Sequence, residues 1–497
     1  MSPTDRLRGE SGERAGASLD RPALADFPCV IRGRHTTTGQ VSDVRSPYDD
    51  SLVATVHRAG PREIEQAIAG ADESFAVTRR LPSWHRSQIL EKVSAAIAAR
   101  TDEFVRVIAL EAGKPLKAAR LEVTRAVFTF KVAAEETRRI YGEIVPLDWL
   151  PGNERREAHV IRVPLGPVAG ITPFNFPLNL VAHKVAPAMA AGDPVIIRPA
   201  SQTPVSSLKL ADIILEAGWP ADAISVVPSS TGDAAPLVED DRIRLLSFTG
   251  SPAVGWDLKR RAGRKRVTLE LGGNAAVIVH SDADLEYAAE RITWGGFSYA
   301  GQSCISVQRV YVHAPVYEKF RDLLVARVKA LKAGDPLDES TDVGPLIDRT
   351  AGERVREWMD EARAAGARVL AGGEARGSVW QPTLLENVDP AVRVSCQEVF
   401  APLVGLVRYD DVGAAIAAAD AGDFGLQAGV FTHDERIITA AIEGIEAGGV
   451  MVNDVSTFRI DHMPYGGVKL SGFGREGVRY AIEEMTEMKL VTYNRRA

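Results

Sequence analysis

From residue 165 onward, short apolar runs alternate with amphipathic stretches, and this alternation limits the fold more than any other feature of the chain. Residues 166–171, 193–198, 224–228 and 244–248 read as strands. A helical stretch containing 187–191 and a helix over 204–217 lie between them. Runs this short and predominantly apolar suit strands buried on both faces, the condition of parallel strands joined by helices. The expected class is therefore α/β, a parallel sheet with helices on both faces. A second series follows, with strands at 275–279, 309–312, 367–370, 404–409 and 429–432 and a helix at 316–331. Two series imply a cofactor domain and a catalytic domain with the active site between them. Such sheets bind ligands beyond the carboxyl ends of their strands. The length, 497 residues, also exceeds one ordinary core.

Ahead of both series, residues 60–140 carry apolar positions at helical spacing, over 62–75, 87–99 and 101–136. Asp102 and Glu103 stand where a helix start favours acids. Residues 143–150, the turn Pro151-Gly152-Asn153 and 154–163 read as strand, turn, strand. Two strands alone are marginal in water, so this hairpin is expected to lean on another surface, such as a second subunit.

The net charge of −7 and the lack of a basic run argue against nucleic acid as a partner. No apolar stretch approaches the roughly 20 residues that span a bilayer. Residues 1–28 mix both charge signs and carry Asp5, Glu10, Glu13 and Asp20, unlike a secretory or transit segment, and read as a flexible tail. Cys29, Cys304 and Cys396 are the three cysteines. An odd, sparse count argues against a disulfide framework and for a reducing compartment, hence the cytoplasm. Without C-x-x-C or paired histidines, no metal site is expected.

Several segments could carry chemistry, and each also has a plain structural reading. Phe248-Thr249-Gly250-Ser251 ends a strand before a helix, either a phosphate cradle or a tight turn. Glu270 ends an apolar strand just before Gly272 and Gly273, as a general base or as a surface carboxylate. Cys304 sits among small residues that would let a substrate approach, although buried structural cysteines are common. In Thr172-Pro173-Phe174-Asn175-Phe176-Pro177 two prolines stiffen the backbone around Asn175, an oxyanion donor or part of a turn.

Taken together and in order, these blocks resemble the aldehyde dehydrogenase superfamily over roughly residues 30–490. The matching stretches are PFNFP at 173–177, AHKVAPAMAAGDPVIIRPASQTP at 182–204, FTGSPAVG at 248–255, LELGG at 269–273, GQSC at 301–304, EVFAP at 398–402 and MPYGGVKLSGFGREG at 463–477. The resemblance implies a two-domain α/β fold with a small β oligomerisation element. The NAD(P)-binding domain would span 29–142 and 164–271, and the catalytic domain 272–470. The oligomerisation element would be 143–163 with 471–497, its last strand at about 486–495, giving a homodimer or homotetramer.

The resemblance also implies roles. Cys304 is the nucleophile, the Asn175 amide and the Cys304 N–H hold the oxyanion, and Glu270 activates the hydrolytic water. Lys184 and Glu476 match positions that assist proton movement, although a buried Lys–Glu pair can be purely structural. Gly250 and Ser251 match pyrophosphate contacts, and Glu398 and Phe400 match contacts to the nicotinamide ribose and ring. Thr172, Pro173 and Phe174, with Phe248, Leu271 and Gly272, complete the cofactor set. Many members carry Lys-Pro-Ser-Glu where this chain has Arg198-Pro199-Ala200-Ser201. Arg198 can hold a 2′-phosphate and Ser201 lacks the carboxylate that would repel one, so NAD and NADP are both expected. Enzymes that pass the acyl group to coenzyme A typically lack the Glu270 equivalent, which favours a free acid as product. A non-catalytic structural protein on this fold would be expected to lose Cys304, Glu270 or Asn175, and all three are present.

For the substrate, the blocks at 301–310, 424–432 and 453–463 look most like the lactaldehyde dehydrogenase-like branch. That branch adjoins the non-phosphorylating glyceraldehyde-3-phosphate dehydrogenases and the phosphonate-aldehyde enzymes. Relatives acting on phosphorylated aldehydes often carry Arg where this chain has Ser303, which argues against a strongly anionic substrate. Arg459 restores part of that case, unless it is a structural arginine paired with Asp461, and Arg125 is a further candidate. Phe176, Phe297 and Phe458 are expected to wall an apolar funnel. The expected substrate is a short hydroxylated or mildly anionic aldehyde such as lactaldehyde, with a phosphorylated aldehyde or semialdehyde as the alternative.

Overall fold

The structure, a computed structural model, describes residues 25–495. Two sheets organise it. The first has eight strands, with five parallel strands at its centre in the order Arg266–Glu270, Leu245–Thr249, Val168–Ile171, Val195–Arg198, Ile224–Val226. The second has seven, and all its pairings are parallel except that of Arg368–Ala371 with Thr383–Glu386. The central strands are apolar and buried along most of their length, as parallel pairing between two helical layers requires.

The amphipathic region before residue 140 holds four helices, Pro61–Thr78, Ser83–Ala99, Thr101–Ala112 and Leu116–Thr137. The expected continuous pattern over 101–136 is broken at Gly113-Lys114-Pro115. Gly113 is left-handed at φ +63°, and Pro115 opens the next helix. The apolar periodicity runs through the break, so the pattern alone conceals it. Each of the two helices then supplies a buried carboxylate to the first sheet's helices. Glu111 accepts the Val205 and Ser206 N–H groups at the start of Val205–Glu216. Glu122 accepts the Leu178 and Asn179 N–H groups at the start of Asn179–Ala191. Acids at helix N-termini satisfy donors that the helix itself cannot.

The hairpin is shorter than its sequence suggests. Its first strand is Glu143–Val145, its second is Arg156–Pro164, and the C-terminal strand Thr486–Asn494 pairs along the whole of the second. The C-terminal boundary of this element also moves. Gly472–Phe473 pairs with Arg266–Glu270, and helix Val478–Glu484 lies on Asn179–Ala191, so both belong with the first sheet. Residues 1–24 of the expected tail lie outside the described residues, while Asp26–Phe27 already pairs with Leu52–His57. Among the described residues no helix is long and apolar enough to cross a membrane.

Candidate active site

The two sheets meet the site in opposite senses. Thr172 follows strand Val168–Ile171, while Arg198, Thr249 and Glu270 are the last residues of their own strands, so the first sheet presents carboxyl ends. Cys304 lies just before strand Val307–His313 and Asn274 just before Ala275–Val279, so the second presents amino ends. The expectation of carboxyl ends therefore holds for one sheet only.

The loop bearing Cys304 is pinned before it reaches the thiol. Tyr299, Ala300 and Gly301 are all left-handed, at φ +48°, +54° and +66°. Two such non-glycine residues in succession persist only where the surroundings over-determine them. The Tyr299 hydroxyl donates to the Ala112 carbonyl at 2.8 Å. The Gln302 side chain donates to Pro345 O and accepts from the Ile347 N–H. Asn175 Nδ2 donates to Gln302 O at 3.0 Å, tying the candidate oxyanion donor to this loop. An amide nitrogen carries two hydrogens, so one remains for a ligand.

Glu270 comes to the same place from the first sheet. Tyr465 bridges the two, with its hydroxyl 3.1 Å from Cys304 Sγ and donating to Glu270 Oε1 at 3.2 Å. Burial, with the Glu476 charge added, pushes the Glu270 carboxyl up to about 7. Burial and the Glu270 charge push the Cys304 thiol well above its ordinary value. Behind them, Lys184 Nζ contacts Thr249 Oγ1 at 2.7 Å, Ser247 Oγ at 3.1 Å and Glu476 Oε1 at 3.3 Å. Burial acts to raise the Glu476 carboxyl, but Lys184, His183 and Arg459 overcome it and hold the group down at about 2.

Arg459 is not the partner of Asp461. Its Nη2 donates to Glu476 at 3.1 Å, and its guanidinium carbon lies 3.5 Å from the centre of the Tyr465 ring. Asp461 is held instead by Arg125 in a two-pronged contact, by His183 and by Asn179. A funnel of about 770 Å³ leads into this region. Phe176, Phe297, Ser303, Phe458 and Arg459 all line it. Arg125 also lines it, as does Lys114 from the helix break, whose ammonium pairs with Glu122 and lies over the Phe176 and Tyr299 rings. The Arg125 side chain is 20 % exposed and that of Arg459 only 5 %.

On the other side, Gly250 and Ser251 stand at the start of helix Pro252–Arg261, with Phe248 two residues ahead. Leu271 is buried and its N–H donates to Ser471 O. Glu398 accepts the Gly273 N–H at 2.9 Å, and a side chain at Gly272 or Gly273 would strike Glu398 or the Cys304 carbonyl. The Phe400 ring stands edge-on to Phe174 at 5.8 Å, close to Pro173 in sequence. Burial, the main cause, pushes the Glu398 carboxyl up to about 7. Arg198 and Ser201 line a separate cavity of about 1190 Å³ together with Arg58, Ser229, Ser230 and Thr231. The residues fit a nicotinamide dinucleotide. The Thr172 hydroxyl and Arg198 Nε are buried with no protein partner, and the glycine cradle is open only because side chains are absent.

Tyr465, Arg58, Lys114 and Gln302 were not among the residues expected at the site. Tyr465 lies within 463–477 and Gln302 within 301–304, so a hydroxyl and an amide in those two stretches were the available signal. Arg58 and Lys114 offered none, because their neighbours come from distant segments.

The aldehyde dehydrogenase family model matches residues 34–491. A 3-sulfolactaldehyde dehydrogenase of Priestia aryabhattai is 44% identical over 475 residues, 95% of this chain and 98% of that protein. Aldehyde dehydrogenase 21 from Physcomitrella patens, solved with the reaction product succinate, is 41% identical with a TM-score of 0.94, over 96% of this chain and 100% of that one. A glyceraldehyde-3-phosphate dehydrogenase from Methanocaldococcus jannaschii, solved with NADP, is 37% identical with a TM-score of 0.88, over 92% of this chain and 100% of that one.

Proposed function

The chain belongs to the aldehyde dehydrogenase family, and from that premise we propose that it oxidises a short hydroxylated or mildly anionic aldehyde to the free acid through a thioester on Cys304. The observation that carries this is the convergence of Cys304 and Glu270, one from each sheet, on a single hydroxyl at the end of the funnel. Cys304 Sγ attacks the aldehyde carbonyl. The resulting oxyanion is held by the free N–H of the Asn175 amide and the Cys304 backbone N–H. When bound, the nicotinamide supplies the hydride acceptor, against the walls made by Phe174, Phe400 and Glu398. Glu270 then takes a proton from water as that water attacks the thioester, and the carbon–sulfur bond breaks to release the acid and the thiol. Lys184 and Glu476 set the charge around Glu270.

The funnel supports the substrate class. Lys114, Arg125 and Arg459 are each already paired with a carboxylate, so a doubly charged group gains little there. The exposed edge of Arg125 favours one terminal anion or hydroxyl. The two relatives named for 3-sulfolactaldehyde and solved with succinate point the same way. Lactaldehyde and carboxylate-ended semialdehydes are therefore the first substrates to try. On the cofactor side, Arg198 and Arg58 share a cavity with Ser201 and have no carboxylate partner among the described residues. That suits a 2′-phosphate, so NADP binds more tightly than NAD. Ile144, Met488, Leu490 and Tyr493 leave the small sheet apolar and exposed, which suits a homodimer or homotetramer.

The test is a panel of aldehydes with neutral, hydroxyl, carboxylate, sulfonate and phosphate ends, assayed with both cofactors. The highest kcat/KM on a long neutral or aromatic aldehyde would overturn the substrate reading. Cys304→Ser should cost at least about a thousandfold in kcat. Retained oxidation in that variant would remove the thioester.

A further inference from the structure

We propose that Tyr465 is a catalytic residue that relays the Cys304 thiol proton to Glu270. The inference rests on the thioester reading above and adds a step to it. The Tyr465 hydroxyl touches both groups, at 3.1 Å from Cys304 Sγ and 3.2 Å from Glu270 Oε1. A hydroxyl can accept one hydrogen bond while donating another. On activation the S–H proton moves to the Tyr465 oxygen as the Tyr465 proton moves to the Glu270 carboxylate. The S–H bond and one tyrosine O–H bond break, while a new tyrosine O–H bond and a carboxyl O–H bond form. Tyrosine ends neutral as it began, and the negative charge passes from Glu270 to sulfur. No electrons change hands and no co-reactant is needed. Glu270 releases that proton to solvent before it serves hydrolysis, so both steps draw on one carboxylate.

The surroundings hold the ring for this task. The Tyr465 N–H donates to Glu476 O at 3.0 Å and its carbonyl accepts from the Glu476 N–H at 2.6 Å, which fixes the backbone. The ring is 2 % exposed, and the Arg459 guanidinium lies on its face. A cation there steadies negative charge passing through the hydroxyl. Burial, then the Cys304 and Glu270 charges, keep the phenol well above its ordinary value, so it stays protonated and acts as a conduit, not a base. Arg459 thereby acquires a positioning role that does not require it to touch substrate.

Tyr465→Phe keeps the ring, the stack and the backbone bonds and removes only the hydroxyl. Cys304 alkylation by iodoacetamide in the full chain, followed by peptide mass spectrometry across pH, reads how much thiolate the site supplies with and without the hydroxyl. Cys396 in the same digests serves as an internal control. In Tyr465→Phe, Cys304 alkylation at neutral pH should fall by about tenfold or more, and its pH transition should move upward. In a Glu270→Gln background, where the acceptor is gone, adding Tyr465→Phe should cost far less, because only the hydrogen bond to sulfur is then lost. A Tyr465→Phe profile that superimposes on the unmodified chain overturns the relay. So does an equal loss in both backgrounds, which marks a merely structural role. Alkylation needs no aldehyde, so this outcome is separate from that of the substrate panel or of Cys304→Ser.

Discussion

On the substrate side of the site, among the described residues, each buried or half-buried cation named above has a carboxylate against it: Lys114 with Glu122, Arg125 with Asp461, Arg459 and Lys184 with Glu476. On the cofactor side, Arg198 and Arg58 line one cavity and neither has such a partner among the described residues. The same residue types thus do different work. A charge taken out of water is tolerable when the protein supplies its counter-charge, and it then belongs to the fold. Left unpaired at a cavity wall it costs stability until a ligand completes it, and it then belongs to binding.

The strongest way to break this contrast is to strand one partner on the substrate side. Lys114→Met leaves the Glu122 carboxylate buried without its cation and should cost about 3–5 kcal/mol in urea unfolding. Adding Glu122→Gln should return part of that. The corresponding change on the other side is Arg198→Leu. It should weaken NADP by about 2 kcal/mol, roughly thirtyfold by calorimetry, with unfolding stability not reduced. A loss of stability as large as that of Lys114→Met would erase the distinction.

The pH dependence sharpens it further. Burial and the paired Glu476 raise the Glu270 carboxyl to about 7, so below that pH it is protonated and cannot take a proton from water. Turnover should therefore fall about tenfold per pH unit well below 7 and level off above. Glu476→Gln removes a negative neighbour and leaves Lys184 and Arg459 unopposed, so the transition should move to lower pH. The smallest expected effect is Ser201→Glu, which places a carboxylate beside Arg198 and should shift the NADP-to-NAD affinity ratio towards NAD by about 1 kcal/mol. An unchanged ratio would take Ser201 out of the cofactor argument.

The central strands were legible because their signal is local. Val195–Ile197 and Ala275–Val279 are unbroken apolar runs and Leu245–Thr249 is mostly apolar, as strands buried on both faces require. The strands Asp26–Phe27, Cys29–Ile31 and Arg34–Thr36 are two or three residues each, too short to show a period. Cys304, Glu270 and Asn175, the candidate nucleophile, base and oxyanion amide, stood out because each sits in a distinctive block. The pairings did not. Arg459 and Asp461 are neighbours in sequence, yet Asp461 is held by Arg125, 336 positions away, and Arg459 by Glu476. Proximity along a loop says little about which charges face each other once Arg125 of helix Leu116–Thr137 and Asn179 and His183 of helix Asn179–Ala191 reach into it.

Glu270 ends a strand of one sheet and Ala275 begins a strand of the other, with Leu271 to Asn274 between them. Gly273 lies so close to the Cys304 carbonyl that no side chain fits between them. Any substitution that thickens this crossover would push the Cys304 loop away from the end of the Glu270 strand. A change in these four residues therefore disturbs what both sheets bring to the site at once, although it touches neither side chain.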